Sequence, residues 1–276
     1  MQPNQIGIML NVGQDPVENI AKVKSLGISL IQMGSPGDDW LVEPKRKELK
    51  HMIDAASLEV FTVFVGFEGE AYDDIETVKR TVGYLNVEAR ESRLERTWAC
   101  CELAKCLGAP YVGAHIGFIP EDTADAQYGE MVEVVQRICE YGEGLGIAVA
   151  LETGQEPAAV LKRFMNDVGR DNLFVNFDPA NMILYGSGDP HEALALLKDK
   201  VVSVHVKDGK WPTAEGQLGE MTPLGEGDVD IPKFIAGLKA FDYQGPLVIE
   251  REITGEEQVR ELREGITMLE KLRSGA

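Results

Sequence analysis

Four apolar segments in the second half of the chain each end in a side chain that binds metals or transfers protons. They are Ala148–Glu152, Val175–Asp178, Val202–His205 and Leu247–Glu250. Three carboxylates brought within a few ångströms of one another repel strongly unless a cation lies among them. Oxygen ligands with one histidine suit Mn²⁺, Mg²⁺ or Co²⁺, whereas zinc more often takes several nitrogen or sulfur ligands. We therefore predict one divalent metal, Mn²⁺ first and Mg²⁺, Co²⁺ or Zn²⁺ as alternatives, bound by Glu152, Asp178, His205 and Glu250.

This prediction requires an architecture that brings the four segments together. Short apolar, β-branched runs predict strands at Ile6–Leu10, Ile28–Met33, Leu58–Gly66, Tyr111–His115, Ile147–Glu152, Leu173–Phe177, Val201–His205 and Pro246–Glu250. Amphipathic segments predict helices at Val17–Leu26, Lys45–Ala56, Arg93–Leu107, Gly129–Leu145, Ala158–Val168, His191–Lys198, Ile231–Phe241 and Glu256–Leu272. Several of these helices end in a Leu-Gly pair that fits a glycine C-cap, at Gly27, Gly108 and Gly146. Strand and helix thus alternate throughout the chain.

An eightfold alternation of strand and helix either closes into a barrel or forms an open, doubly wound sheet. The segment Leu10–Gln14 after the first strand has too few glycines for a dinucleotide or P-loop site, which favours the barrel. We predict an α/β fold with a single (β/α)₈ TIM barrel domain over residues 1–276, a usual length for that fold. In such a barrel the polar strand ends converge on one face, and the long segments Glu68–Glu91 and Asp208–Asp230 are expected to cover it.

Composition and charge narrow the class of ligand. The chain is 44% hydrophobic and 26% charged, which is ordinary for a folded globular protein. Its net charge of −19 disfavours nucleic acid, which binds basic surfaces, and is compatible with an uncharged sugar or polyol. The sequence has no apolar run long enough to span a bilayer, no basic leader and no Cys-x-x-Cys pair among its four cysteines. We therefore expect a cytoplasmic protein with reduced thiols and no membrane partner.

Further polar and aromatic residues near the predicted strand ends are candidates for substrate binding. His115 closes the fourth strand, where its imidazole is expected to hydrogen-bond a substrate oxygen. Lys207, two residues after His205, faces the same side of the strand end, where its charge either neutralises an oxyanion or forms an ordinary salt bridge. Glu226, between two glycines, and Trp211, which offers an apolar face to a sugar, complete this set.

A resemblance to a known family rests on five motifs. They are Leu151-Glu152-Thr153, Asn176-Phe177-Asp178-Pro179-Ala180-Asn181, His205-Val206-Lys207-Asp208, Gly225-Glu226-Gly227-Asp228-Val229-Asp230 and Ile249-Glu250. The chain resembles, over nearly its whole length, the sugar phosphate isomerase/epimerase family, a branch of the xylose isomerase-like TIM barrels. The resemblance implies the same four metal ligands, makes Glu152 and Glu250 the catalytic acid/base pair, and implies a homodimer or homotetramer.

The reaction that the resemblance implies is carried out by a divalent-metal-dependent sugar isomerase or epimerase. Such an enzyme transfers a proton next to the carbonyl of a ketose or keto-polyol through a metal-stabilised enediolate. The alternative is an inosose dehydratase-like or 3-keto-glycoside lyase that uses the same metal site. Asn181 stands where many epimerases carry histidine, so we assign it to substrate binding and leave the substrate class open. Endonuclease IV-like DNA repair and a non-catalytic sugar-binding barrel are remote alternatives.

Overall fold

Eight parallel strands close into a barrel in the computed structural model, which describes residues 4–13 and 16–274 of the chain. The strands are β1 (Ile6–Leu10), β2 (Leu30–Met33), β3 (Glu59–Val65), β4 (Tyr111–Ala114), β5 (Ala148–Glu152), β6 (Leu173–Phe177), β7 (Val201–Val206) and, after the short β8 (Asp208–Lys210) and β9 (Glu220–Thr222), β10 (Leu247–Ile249). Around the barrel they follow the order β1, β10, β7, β6, β5, β4, β3, β2. The closed barrel confirms the predicted fold class. The two ends of the predicted domain, and Gln14 in the segment after β1, lie outside the described residues.

Helices connect the strands and surround the barrel. They are α1 (Pro16–Ser25), α2 (Lys45–Ala55), α3 (Ile75–Thr81), α4 (Arg90–Leu107), α5 (Ala126–Leu145), α6 (Ala158–Val168), α7 (Pro179–Tyr185), α8 (Pro190–Leu197), α9 (Ile231–Ala240) and α10 (Gly255–Ser274). The eight helices predicted from the sequence are confirmed to within three residues at each end. The sequence patterns missed α3 and α7, because seven residues are too few to establish a helical period.

Local signals explain where these elements begin and end. Helices α4 and α5 end at Gly108 and Gly146, both in the left-handed conformation that a glycine C-cap adopts. Helix α7 begins directly after β6, because the Asp178 carboxylate accepts the backbone N–H of Asn181 at 2.8 Å and Pro179 occupies the first turn. The polar residue that closes β6 is therefore also a helix N-cap.

The apolar core lies between the barrel strands and the surrounding helices. Phe177 of β6, for example, stacks on Phe234 of α9 with 5.8 Å between ring centroids, and both side chains are fully buried. Burying one side chain of this size contributes about 1.5–3 kcal/mol relative to exposure. Cys100, Cys101 and Cys139 are free thiols within this core. Among the described residues, no helix combines the length and apolar character needed to cross a membrane.

Polar side chains fill part of the barrel interior. Gln32, Thr62, Asn176 and Ser203 are completely buried, and we call them the polar layer. Gln32 Nε2 donates to Thr62 Oγ1 at 3.2 Å and to Asn176 Oδ1 at 3.1 Å, and Ser203 Oγ donates to the same Asn176 oxygen. Because β2 and β6 are not neighbours in the sheet, the Gln32 to Asn176 bond must cross the interior. Register shifts directly before Gln32 and before Asn176 accompany this inward orientation, since such irregularities re-aim side chains.

Candidate metal centre

Four side chains from consecutive barrel positions converge at the carboxyl ends of their strands. Glu152 is the last residue of β5, Asp178 follows β6, His205 lies near the end of β7 and Glu250 follows β10. One ligand atom from each lies within 4.8 Å of all the others. Asp178 and His205 are completely buried, Glu152 nearly so, and the Glu250 side chain is 14% exposed. The barrel therefore brings together the four residues that we predicted as metal ligands.

The His205 ring is oriented by a residue of the polar layer. Its Nε2 lies 2.6 Å from Oε1 of Gln32. The amide nitrogen of Gln32 already donates to two oxygens, so its Oε1 acts as an acceptor and His205 Nε2 carries the proton. The other ring nitrogen, Nδ1, faces the carboxylates at 2.8 Å from Glu152 Oε1, 3.3 Å from Glu250 Oε2 and 3.5 Å from Asp178 Oδ2. The carboxylates outweigh burial and raise the pKa of His205, and in the charged imidazolium Nδ1–H donates to Glu152 Oε1. In the neutral imidazole Nδ1 is the nitrogen whose lone pair is available to a metal ion.

The Asp178 carboxylate shows that the cluster suits a cation. Its Oδ1 caps α7, but its Oδ2 is buried and accepts no hydrogen bond from the residues that the structure describes, with His205 Nδ1 at 3.5 Å and Lys207 Nζ at 3.8 Å. Burial and the nearby Glu152 carboxylate raise the pKa of Asp178 despite the charges of Lys207 and His205. An orphaned, buried carboxylate oxygen is costly in a protein interior, and a divalent ion with oxygen and imidazole ligands removes that cost. The donor set therefore fits a divalent metal.

The two glutamates are held in their ionised forms. Burial alone would raise the pKa of Glu152, but the His115 and His205 imidazoles outweigh burial and hold it well below its ordinary value. Burial likewise opposes ionisation of Glu250, and the charges of Lys207 and His205 lower its pKa nevertheless. Both carboxylates are therefore available to bind a cation or to accept a proton.

His115 contacts Glu152 on the side away from His205. Its Nε2 lies 3.1 Å from Glu152 Oε2, and its Nδ1 is buried without a hydrogen-bond partner in the described structure. Burial lowers the pKa of the His115 imidazole, but the facing Glu152 carboxylate outweighs this and raises it to about 9. The residue that we predicted to bind substrate therefore lies at the site and orients one of the two glutamates.

Lys207 and Asn181 link the two glutamates. Lys207 Nζ donates to Glu250 Oε2 at 3.0 Å, to Asn181 Oδ1 at 3.1 Å and also to Glu252, which lies at the rim. The amide nitrogen of Asn181 donates to Glu152 Oε1 at 3.2 Å. Lys207 is only 3% exposed, so solvent screens its charge little and the charge acts strongly on the neighbouring carboxylates. Both residues thus lie beside the predicted ligands, as a continuous hydrogen-bonded chain.

A cavity of about 460 Å³ opens above the cluster, a size that suits a small sugar. Its lining includes Glu152, Glu250, Lys207, His115 and Asn181. The two long segments that we expected to cover this face contribute a minority of its lining: Tyr72 from the segment after β3, and Leu218, Gly219 and Met221 from the segment after β7.

Two predicted substrate-binding residues lie away from this cavity. Trp211 is 41% exposed, and its backbone N–H donates to Asp228 Oδ2 at 3.1 Å. Glu226 is exposed in the loop after β9. Neither is among the residues that line the cavity, so their contact with a substrate stays a prediction.

Several residues at the site were not selected from the sequence. Gln32, Asn176 and Ser203 carry a usable signal, because each is a polar residue inside an otherwise apolar strand. Tyr72, Tyr185 and Glu252 line the cavity from loops and from the end of α7, where no strand pattern singles them out. Loop positions of this kind are found only when the fold brings them to the site.

Comparison with known proteins agrees with this architecture. Residues 20–272 match the family described as xylose isomerase-like TIM barrel. The chain belongs to that family. A xylose isomerase domain protein from Planctomyces limnophilus has a crystal structure that is 37% identical and superposes with a TM-score of 0.94 over 99% of this chain and 98% of that one.

Two further relatives are epimerases or resemble them. An L-ribulose 3-epimerase from Methylomonas sp. (strain DH-1) is 30% identical over 146 residues, which cover 49% of this chain and 46% of that protein. This match therefore spans about half the length of the curated relative. A D-tagatose 3-epimerase-like protein of known structure is 19% identical, with a TM-score of 0.76 over 98% of this chain and 97% of that one, and this likeness concerns the fold.

Proposed function

We propose that this protein is a divalent-metal-dependent sugar isomerase or epimerase that acts on a ketose or keto-polyol by proton transfer. The observation that carries the proposal is the convergence of Glu152, Asp178, His205 and Glu250 within 4.8 Å at the mouth of the barrel. Similarity to an L-ribulose 3-epimerase supports the same reaction class. We further propose that these four residues hold one metal ion, with Mn²⁺ as the first choice.

The two glutamates are suited to act as base and acid. A metal held there supplies positive charge that polarises a substrate carbonyl and acidifies the neighbouring C–H. Glu152 and Glu250 are both ionised, both line the cavity, and come from strands separated by β6 and β7 in the barrel. One carboxylate accepts the proton from carbon. The other, on the opposite face of a planar intermediate, takes up a proton from solvent and returns it to the same carbon with inversion. Return of the abstracted proton to the adjacent carbon gives isomerisation.

Neighbouring residues keep the two carboxylates in different environments. Glu152 is held by His115, His205 and Asn181, whereas Glu250 is held by Lys207 and His205. These contacts fix each carboxylate and leave the cavity side of the pair open to a ligand. Lys207 is also placed to neutralise negative charge that develops on a substrate oxygen.

The charges around the cavity favour an uncharged sugar over a sugar phosphate. Among the described residues, three lysine or arginine side chains line it, and each already has a hydrogen-bond partner, as the His115 imidazole has in Glu152. Lys207 contacts Glu250 and Glu252, Arg251 contacts Glu261, and Lys22 donates to Gln258 at 2.8 Å. A phosphate dianion is recognised by clustered, available cations, which these pairs do not offer.

Proton exchange into solvent tests the proposal directly. The protein is stripped with EDTA, reloaded with Mn²⁺ and incubated in D₂O with L-ribulose, D-tagatose, D-fructose, an inosose and a 3-keto-glucoside, each followed by NMR. We expect deuterium at a carbon next to the carbonyl of at least one compound, with the carbon skeleton intact. Glu152→Gln and Glu250→Gln should abolish that exchange, while Glu133→Gln, an exposed change on α5, should not.

The same spectra separate the competing functions. Loss of water or of an aglycone would assign the site to a lyase. Absence of exchange and of elimination across the panel, with Mn²⁺ bound, would overturn an enediolate reaction on these substrates and favour a binding role. Exchange that survives in both glutamine variants would show that other residues transfer the proton.

A further inference from the structure

Asp208 lies next to Lys207 and has an unusual set of partners. Its carboxylate is 1% exposed and accepts four backbone N–H groups. Oδ1 accepts from Gly209 at 2.9 Å and Val229 at 3.1 Å, and Oδ2 accepts from Gly225 at 2.9 Å and Gly227 at 3.1 Å. We call this arrangement the Asp208 cage. Within the described chain no lysine or arginine pairs with this carboxylate, so backbone dipoles alone compensate its charge.

The cage accounts for the glycines of the motif Gly225-Glu226-Gly227. A Cβ atom built on Gly227 would overlap the Asp208 carboxylate, so a side chain there is incompatible with the observed contact. Gly225 adopts φ of +88°, a conformation that other residues rarely take. The Asp228 N–H adds a bond of 2.7 Å to the Gly209 carbonyl. This motif therefore wraps around Asp208, which is a use of its glycines that the sequence did not indicate.

The cage closes the base of the hairpin that forms one wall of the cavity. Strands β8 and β9 are antiparallel, with Gly209 opposite Met221, and the cage joins the start of β8 to the segment that returns from β9. The Gly219 N–H donates to the Leu184 carbonyl of α7 at 2.8 Å, which fixes the far end of the hairpin. Leu218, Gly219 and Met221, at and beside this second attachment, line the cavity.

We infer that Asp208 is a positioning residue, which holds the β8–β9 hairpin as a wall of the sugar site and so sets substrate affinity without contacting substrate or metal. The inference rests on the proposed function only for the nature of the ligand. A wall that contacts the sugar equally in the ground state and in the transition state changes KM and leaves kcat nearly constant. Loosening the hairpin is therefore expected to raise KM while kcat changes little.

The test is Asp208→Asn in the full, Mn²⁺-loaded chain, with Asp228→Asn as the matched control. The control removes an exposed carboxylate from the same segment, residues 208–230, where Asp228 Oδ2 accepts the Trp211 N–H. For Asp208→Asn we expect amide hydrogen exchange at residues 208–230 to accelerate at least ~10-fold, with the barrel strands unchanged. We also expect KM for L-ribulose, or for the ketose of the panel that is turned over fastest, to rise at least ~10-fold with kcat within ~3-fold.

Two readouts do not depend on turnover. The dissociation constant of xylitol, used as an unreactive polyol probe, should rise at least ~10-fold in Asp208→Asn, and the affinity for Mn²⁺ should stay within ~3-fold of the wild type. If the wild type turns over no ketose but these changes are observed, the proposed function fails and the positioning role stands. Unchanged exchange at 208–230, or loss of Mn²⁺ affinity in parallel with activity, would overturn the inference.

A second variant covers the case in which Asp208→Asn does not fold. Gly227→Ala perturbs the cage from the opposite side, because its methyl group would meet the Asp208 carboxylate. It should give the same acceleration of exchange and the same weakening of xylitol binding. Wild-type exchange and wild-type binding in Gly227→Ala would count against the cage as the determinant of hairpin position.

Discussion

The His205 imidazole donates from Nε2 to Oε1 of Gln32 at 2.6 Å, across a barrel in which the two residues are 173 positions apart in the chain. The bond leaves Nδ1 facing the three carboxylates of the candidate metal centre. Partners of this kind usually set both the tautomer and the orientation of a histidine that binds a metal. Gln32 is in turn fixed by Thr62 and Asn176 of the polar layer.

Replacing Gln32 should weaken metal binding. In Gln32→Leu, His205 loses its acceptor at Nε2 and no longer has its tautomer fixed, so we expect the affinity for Mn²⁺ to fall about 10- to 100-fold in isothermal titration calorimetry. Thr62→Val is the control, because Thr62 accepts from the amide nitrogen of Gln32, and its loss leaves the Gln32 Oε1 bond to His205 in place. Equal affinities of Gln32→Leu and the wild type would contradict this role.

Binding of Mn²⁺ should stabilise the fold, and this gain should depend on Asp178. At a free Mn²⁺ concentration 100 times its dissociation constant, the free energy of unfolding rises by about 2.7 kcal/mol for a site that exists only in the folded chain. Asp178→Asn should remove this gain in urea titrations.

In EDTA the same variant should be at least as stable as the wild type. Asparagine can still cap α7, and the change removes a buried carboxylate whose pKa is raised by burial. If Asp178→Asn were less stable than the wild type in EDTA by more than about 2 kcal/mol, the Asp178 charge would stabilise the fold even without a metal.

Removing the Lys207 charge should impair turnover more than removing its exposed partner. Lys207→Met leaves Glu250 and Asn181 without their shared donor, and we expect kcat/KM to fall at least ~100-fold. Glu252→Gln keeps both of those contacts, so its loss should stay below ~10-fold. Steady-state kinetics on one ketose compare the two variants. Losses of equal size would show that Lys207 contributes through its contact with Glu252 and not through its contact with Glu250.

Glu156, in the loop after β5, should make stability depend on pH. Burial raises the pKa of its carboxyl to about 8 in the folded chain, from an ordinary value of 4.5. The folded state therefore binds this proton more tightly than the unfolded state does. Its contribution to stability is fully present below pH 4.5 and is lost as the pH rises towards 8, with a slope of up to about 1.4 kcal/mol per pH unit.

Glu156→Gln mimics the protonated form and should remove this dependence. We expect the variant to match the wild type at pH 4.5 and to be more stable than the wild type at pH 8, as measured by urea unfolding in EDTA. Glu133→Gln controls for the change in net charge, because it removes an exposed carboxylate. A stability difference between Glu156→Gln and the wild type that does not change with pH would rule out a raised pKa at this position.

The sequence by itself determined the barrel and the identity of the converging residues. Strands such as β5 and β7 are short apolar runs that end in Glu152 and in the His205-Val206 pair, and a run with a polar end is a local pattern that can be read one strand at a time. Once eight such runs alternate with helices, closure brings their ends to one face. The fold and the grouping of the four predicted ligands therefore followed from local patterns together with one architectural rule.

The tertiary structure alone decided which residues support and enclose that group. Gln32 contacts His205 across the barrel interior, and Asp208 accepts backbone N–H groups from residues up to 21 positions away. Trp211 after β8 and Glu226 after β9 lie outside the cavity lining. A side-chain hydrogen bond acts over about 3 Å, so it depends on how strands register and loops fold back. Neither the register between strands nor the path of a loop is encoded in the spacing of residues along a single segment.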